Sequence, residues 1–296
     1  MIVRAVVRQW LPHHRGPTGR VVLAPPTPEG QPHMTDTETG TDPASGTAKR
    51  RSVRVEPSAR RVRVFLGGQI VAESTRALMV WESPHYPVYY FPPADVREDL
   101  LSSDGTTRHS PRRGDGRKHT VRVGDIEAPG AAMYYGEDAL VEEIRGFYRF
   151  EFGAMDSWFE EDEEIFVHVR DPYTRIEILP TSRPVRIEVG GVTIAESTSA
   201  RMLIETGVPI RYYLPKTHVR MDLLEPSDTS TGCPYKGTAQ YWSVRVGDTL
   251  HKDIAWSYRT PTAESQKIAG LIAFYRVDIY VDGVLHPETP RPRALS

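Results

Sequence analysis

Between positions 61 and 74 apolar and polar residues alternate: Val62, Val64 and Leu66 interleave with Arg61, Arg63 and Phe65, Gly67-Gly68 follow, and a second strand-like run reaches Ser74. A period of two marks a strand with one buried face, and Gly-Gly supplies the positive φ angles that a two-residue hairpin turn requires. The device recurs where Val244 and Val246 precede Gly247-Asp248, and where Val277, Ile279 and Val281 precede Asp282-Gly283. Helix signals are few. They predict short helices over 217–224, capped by Thr217 after Pro215, over 261–269 between Thr260 and Gly270, and over 137–145. The pattern predicts a mainly β protein built of antiparallel sheets.

A shift of 123 positions superimposes 57–125 on 180–248 without a gap, with 29 identities in 69 positions. Shared landmarks include Gly67-Gly68 with Gly190-Gly191, Tyr89-Tyr90 with Tyr212-Tyr213, and Val121 to Asp125 with Val244 to Asp248. A repeat this long means two tandem domains rather than a solenoid. The boundaries this predicts are a first β domain over 51–155, a connector over 156–174 and a second β domain over 175–290. The connector places six acids in nine residues from Asp156 to Glu164, then Phe166, His168 and Tyr173. With Trp158 and Phe159 among its acids it is expected to be ordered and packed between the domains. Its acids are expected on a solvated face, because alternation along one extended strand separates Glu160, Asp162 and Glu164 from Glu161 and Glu163.

Residues 16–46 are rich in Pro, Gly and Thr and poor in branched apolar side chains, which predicts a disordered tail over 1–50. Met34 opens a polar stretch that reads as an alternative translation start. Arg4 and Arg8 interrupt the opening apolar run, so it does not read as a secretory signal. No window is long and apolar enough for a membrane span, and the expected location is the cytoplasm.

The chain has 296 residues with 37 bases against 39 acids, a balance that announces neither nucleic acid nor a membrane surface as partner. One cysteine, Cys233, excludes an internal disulfide and any zinc site needing two thiolates of this chain. Asparagine is absent, and so are a phosphate-binding Gly-rich loop, a dinucleotide fingerprint, a nucleophile elbow and a His-Glu-x-x-His helix. No cofactor or metal is expected.

The sharpest local cluster is Thr231-Gly232-Cys233-Pro234-Tyr235-Lys236-Gly237, leading into Tyr241-Trp242. A lysine beside a thiol favours the thiolate, so Cys233 reads either as a nucleophilic or redox thiol activated by Lys236 or as a small packing residue. Lys236 alternatively suits a carboxylate or phosphate. At the positions of Cys233, Tyr235, Lys236, Trp242 and Trp256 the first copy has Ser110, Arg112, Arg113, His119 and Met133, which points to a pocket in the second copy. Its candidate ligand-binding residues are Tyr212, Arg220, Tyr235, Lys236, Tyr241, Trp242, Trp256 and Tyr258. These aromatics read either as core or as a cage for a planar or charged ligand.

Taken together, Gly190-Gly191 to Ser197, Tyr212-Tyr213-Leu214-Pro215, Val219 to Leu224, Cys233 to Gly237, Ala255-Trp256-Ser257-Tyr258 and the connector's Trp158 and Asp171-Pro172-Tyr173 resemble the bacterial family called Domain of Unknown Function 427, in tandem form. The resemblance implies a small β-rich fold similar to the β-tent group, whose members often hold zinc through cysteines that this chain lacks. It names no reaction. The function expected from the sequence is a small-molecule-binding module for a planar or anionic ligand, with an enzyme using Cys233 and Lys236 as the alternative.

Overall fold

The computed structural model describes residues 53–83 and 86–287. The predicted tail and alternative start lie outside them. The first unit contains β1 (Arg54–Pro57), β2 (Val62–Leu66), β3 (Gln69–Ser74), β4 (Leu78–Trp81), β5 (Val88–Phe91), β6 (Leu101–Ser110), β7 (Gly114–Val123), β8 (Ile126–Tyr135), β9 (Phe147–Phe150), β10 (Ser157–Glu160) and β11 (Glu163–Ile165). The second repeats them in order: β12 (Ile176–Pro180), β13 (Val185–Val189), β14 (Val192–Ser197), β15 (Arg201–Glu205), β16 (Arg211–Tyr213), β17 (Leu224–Cys233), β18 (Gly237–Val246), β19 (Thr249–Tyr258), β20 (Ala273–Phe274), β21 (Asp278–Val281) and β22 (Val284–Leu285).

In the first unit a seven-stranded sheet runs β1-β4-β5-β9-β8-β7-β6, and a four-stranded sheet runs β11-β10-β2-β3. The second unit keeps both orders, but its larger sheet divides into β12-β15-β16 and β17-β18-β19-β20. A single bridge, Leu214 to Ile272, joins the halves where the first unit pairs Tyr90 with Arg149 and Phe91 with Tyr148. The Gly-Gly hairpins form as predicted, with Gly67, Gly68, Gly190 and Gly191 all at positive φ between +57° and +77°. No helix among the described residues is long and apolar enough to cross a membrane.

The helices are shorter than predicted. Positions 217–224 hold two 3-10 turns, Lys216–His218 and Met221–Leu223, because Val219 between them is extended and bridges Ala195. The second prediction shrinks to a 3-10 helix over Ala263–Ile268, and the third to Glu142–Ile144. Thr260 does not cap the former, whose N-cap is Thr262, and the Thr262 hydroxyl donates instead to the Tyr235 carbonyl at 2.5 Å.

Two cores form in each unit, one on either face of the larger sheet. Val62, Val64, Phe91, Phe150 and Trp158 fill the space between the first unit's sheets, and Val80, Tyr90, Met133, Tyr135 and Ile144 pack the opposite face. The second unit matches this with Val185, Ile187, Trp242 and Phe274 on one side and Leu203, Tyr213, Trp256 and Tyr258 on the other.

The first half of the connector belongs to the first unit's sheet. Trp158 on β10 lies opposite Val64 of β2, as Ile279 on β21 lies opposite Ile187 of β13. Its acids are exposed as expected except for Glu160, but they do not lie along one strand. The chain turns at Glu161, whose φ is +51°, Asp162 binds Arg61 and Arg63 at 2.7 and 2.9 Å, and buried Glu160 accepts from the Tyr89 hydroxyl at 3.0 Å. The cations around β2 therefore hold this hairpin in place.

Trp158 is 2% exposed and stacks on Phe152 with ring centroids 5.1 Å apart. Trp158→Ala is expected to destabilise the protein by about 3–5 kcal/mol in chemical denaturation, the usual cost of removing a buried tryptophan. A loss below about 1 kcal/mol would mean that the hairpin is not part of the fold's core.

Candidate functional site

The structure divides the predicted second-unit residues, gathering Cys233, Lys236, Tyr241, Trp256 and Tyr258 around one core and leaving the others apart from it. Tyr212 and Trp242 lie in one core and Trp256 and Tyr258 in the other, at 1–8% exposure. Apolar side chains this large are drawn inside by the area they remove from water. Trp256 donates its indole N–H to the Tyr213 hydroxyl at 3.1 Å, and the Tyr241 and Thr231 hydroxyls meet at 3.0 Å. Arg220 is exposed and pairs with Asp222 at 2.7 Å, as Arg97 pairs with Asp99 in the first unit. It joins none of the other candidates. Tyr235 holds the connector, its hydroxyl accepting from the Asp171 N–H at 2.6 Å.

Lys236 and Cys233 come together, in an arrangement opposite to the one an activated thiol needs. Lys236 forms a buried ion pair with Glu205, a residue the sequence analysis did not single out. Burial pulls the lysine down, but Glu205 together with Cys233, Tyr258 and Tyr213 outweighs it and holds the ammonium well above its ordinary range. Burial pushes the Cys233 thiol up, Glu205 adds to the rise, and Lys236 offsets only part of it. Desolvation wins because the lysine's charge is already answered. The thiolate is disfavoured at neutral pH.

The first unit builds the same pair in the same place. The 123-residue shift carries Glu205 to Glu82, Lys236 to Arg113, Tyr213 to Tyr90 and Tyr258 to Tyr135. Arg113 binds Glu82 at 2.9 Å and donates from Nε to the Tyr135 hydroxyl at 3.1 Å, while the Tyr90 hydroxyl donates to Glu82 at 2.5 Å. Arg149 on β9 adds a second cation, donating to both Glu82 oxygens at 3.0 and 2.8 Å and also to Glu151. Burial opposes the charge on both guanidiniums, yet Glu82 with Tyr90 and Tyr135, joined at Arg149 by Glu151, outweighs it and raises both. Glu82 and Glu205 form an identity of the internal alignment, and that was the available signal. Arg149 carried none, because the strand register sets Ala273 of β20 opposite Trp256 where Arg149 of β9 lies opposite Met133, so the second repeat has no matching cation.

This cluster opens on a cavity of about 860 Å³ lined by the first unit, the connector and the second unit's Ser230 to Pro234 loop. Glu82, Arg113 and Arg149 form one wall. Tyr86, Phe152, Phe166 and His168 supply aromatic surface, with Tyr86 stacked on His168 at 4.0 Å between centroids. Ser230, Thr231, Cys233, Thr238 and Thr262 come from the second unit, so Cys233 alone of the predicted residues faces this space. The connector crosses closely over that loop: a Cβ on Gly232 would stand 2.6 Å from Val167. A second groove of about 780 Å³ runs past Glu160 to Glu163, Asp171 and Glu264, with Arg60 and Arg170 among them. Among the described residues no group of three or more His, Cys, Asp or Glu side chains is placed to hold a metal.

Two small β units, each built on a buried carboxylate–cation pair, define a duplicated β protein with a cavity of about 860 Å³ at the seam. The family model for Domain of Unknown Function 427 matches twice, over residues 54–161 and 177–283, and the chain belongs to this family in tandem form. The first match reaches into the β10–β11 hairpin, in keeping with that hairpin's place in the first unit. No curated protein matches the chain.

Two outcomes are expected of the second-unit pair. Alkylation of Cys233 in the folded protein should stay slow through the ordinary thiol range near pH ~8.5 and rise only above it. Lys236→Ala should slow it further, since the lysine is what favours the thiolate; acceleration would contradict the assignment. For stability, Lys236→Met leaves Glu205 buried and unanswered, at a cost of about 3–5 kcal/mol in denaturant titration. The double change Lys236→Met with Glu205→Leu should recover part of that loss. Because the folded-state pKa of Lys236 is raised, its contribution is present below the unfolded lysine value near ~10.4 and fades as pH climbs above it.

Proposed function

We propose that this protein is a binding module for a small planar ligand seated at the seam between its two repeats. The observation that carries the reading is the cavity itself. At about 860 Å³ it falls within the usual size of small-molecule sites, and it joins aromatic walls to a few convergent polar groups. Tyr86, Phe152 and Phe166 offer ring surface for stacking, and the hydroxyls of Ser230, Thr231 and Thr262 come from the opposite repeat. The burial of Tyr212, Trp242, Trp256 and Tyr258 favours the seam over a pocket within the second unit. The raised thiol of Cys233 favours binding over nucleophilic catalysis.

A neutral naphthalene fluorophore, Prodan, tests this reading without regard to charge. It is expected to bind the full chain saturably at one site, and Tyr86→Ala and Phe166→Ala should each weaken it by about three- to tenfold. Both side chains are substantially exposed, at 37% and 61%, so the fold should tolerate their loss. Arg220→Ala, on the exposed Asp222 pair, should leave the affinity unchanged. Equal binding by all three variants would place the ligand elsewhere.

A further inference from the structure

We infer that the ligand of the seam is an aromatic acid, an oxyanion carried on a planar ring, and that Arg113 of the first repeat is its seat. The inference rests on the seam reading and adds the sign of the charge and the residue that recognises it.

The argument is a count of donors against acceptors. A guanidinium carries five N–H donors in a fixed fork. Arg113 spends Nε on the Tyr135 hydroxyl and Nη1 on Glu82, while Nη2 makes no bond among the described residues. Its side chain is 14% exposed, and Arg113 lines the cavity. Arg149 spends both terminal nitrogens on Glu82 and Glu151, and its Nε is buried without an acceptor among the described residues. Glu82 is fully engaged in turn, its two oxygens receiving Tyr90, Arg149 and Arg113. Among Glu82, Arg113 and Arg149 there are therefore surplus donors and no spare carboxylate oxygen.

Charge gives the same answer. Arg113 and Arg149, at 14% and 7% exposure, face one comparably buried carboxylate, Glu82; Glu151 is 45% exposed and correspondingly screened. The buried end of the wall thus sets two guanidiniums against one buried carboxylate, and the balancing Glu151 lies toward solvent. At this wall a cationic ligand would have to take Glu82 from two guanidiniums, because the cavity's other acids, Glu151, Asp156 and Glu164, lie at more exposed positions. An oxyanion needs only to accept from Arg113 Nη2, with its ring against Tyr86, Phe152 and Phe166. The second repeat lacks this opening because its Lys236 is spent on Glu205.

Calorimetric titration of the full chain with naphthoate, naphthyl phosphate and naphthylmethylammonium at neutral pH tests the inference. Both oxyanions should bind, and the ammonium should bind about tenfold more weakly or worse. A tighter naphthoate identifies a carboxylic acid as the natural ligand class, a tighter naphthyl phosphate a phosphomonoester, and either upholds the oxyanion seat. Arg113→Lys borrows the residue that the second repeat carries at this place, so it should keep the Glu82 ion pair and the thermal melt. It loses the fork, and oxyanion affinity should fall about tenfold; Arg113→Met should lower it at least as far. The inference is overturned if the ammonium binds as tightly as the acids, or if both Arg113 variants stay folded and hold the oxyanions within about twofold. Binding of the ammonium alone leaves the seam reading standing and removes the oxyanion. Binding of none of the three removes both.

Discussion

A carboxylate taken out of water into a β core is tolerable only where cations and hydroxyls answer it, and each repeat of this protein is arranged around one such group. Glu82 at the end of the first repeat's β4 is met by Arg113, Arg149 and the Tyr90 hydroxyl, and Glu205 in the matching place is met by Lys236. A buried ion pair is a poor source of stability compared with apolar residues of the same volume. Its presence at matching places in both repeats is therefore not accounted for by stability alone.

The two repeats use that group differently. In the second, the lysine is consumed by its glutamate, the connector crosses the loop at Val167 and Gly232, and Tyr235 ties down the Asp171 backbone. In the first, an additional arginine on β9 reaches the same carboxylate, and the wall remains open to the cavity. The split of the second unit's larger sheet belongs to the same divergence. Where the first unit aligns Arg149 with Tyr90 across β5 and β9, the second has only the Leu214 to Ile272 bridge. The duplication thus supplies one scaffold, and a few substitutions decide which copy of the polar group faces open space.

The local signals were legible in the chain. Alternation at Val62, Val64 and Leu66, the Gly-Gly turns and the internal repeat all act over a few residues or between identical copies, and the strands form where they place them. Helix capping signals misled at 217–224 because Val219 was claimed by a strand partner 24 residues earlier, a tertiary pairing that local propensity does not register. Cys233 and Lys236 are neighbours in sequence, so their meeting was visible, yet the sign of their effect was not. It depends on Glu205, which arrives from another strand and takes the lysine's charge.

Sequence patterning settled the elements, their order and their doubling, because a two-residue period and a glycine turn specify a hairpin without outside help. It could not say which aromatic side chains would be core, since Trp256 or Tyr258 on a strand looks the same whether the face beyond it is protein or solvent. Nor could it join Glu82 to Arg149, 67 positions apart, or bring the first repeat's arginines to face the second repeat's Ser230 to Pro234 loop. Those juxtapositions come from sheet pairing over long separations and from the connector's path between the units, and the candidate site exists only where they coincide.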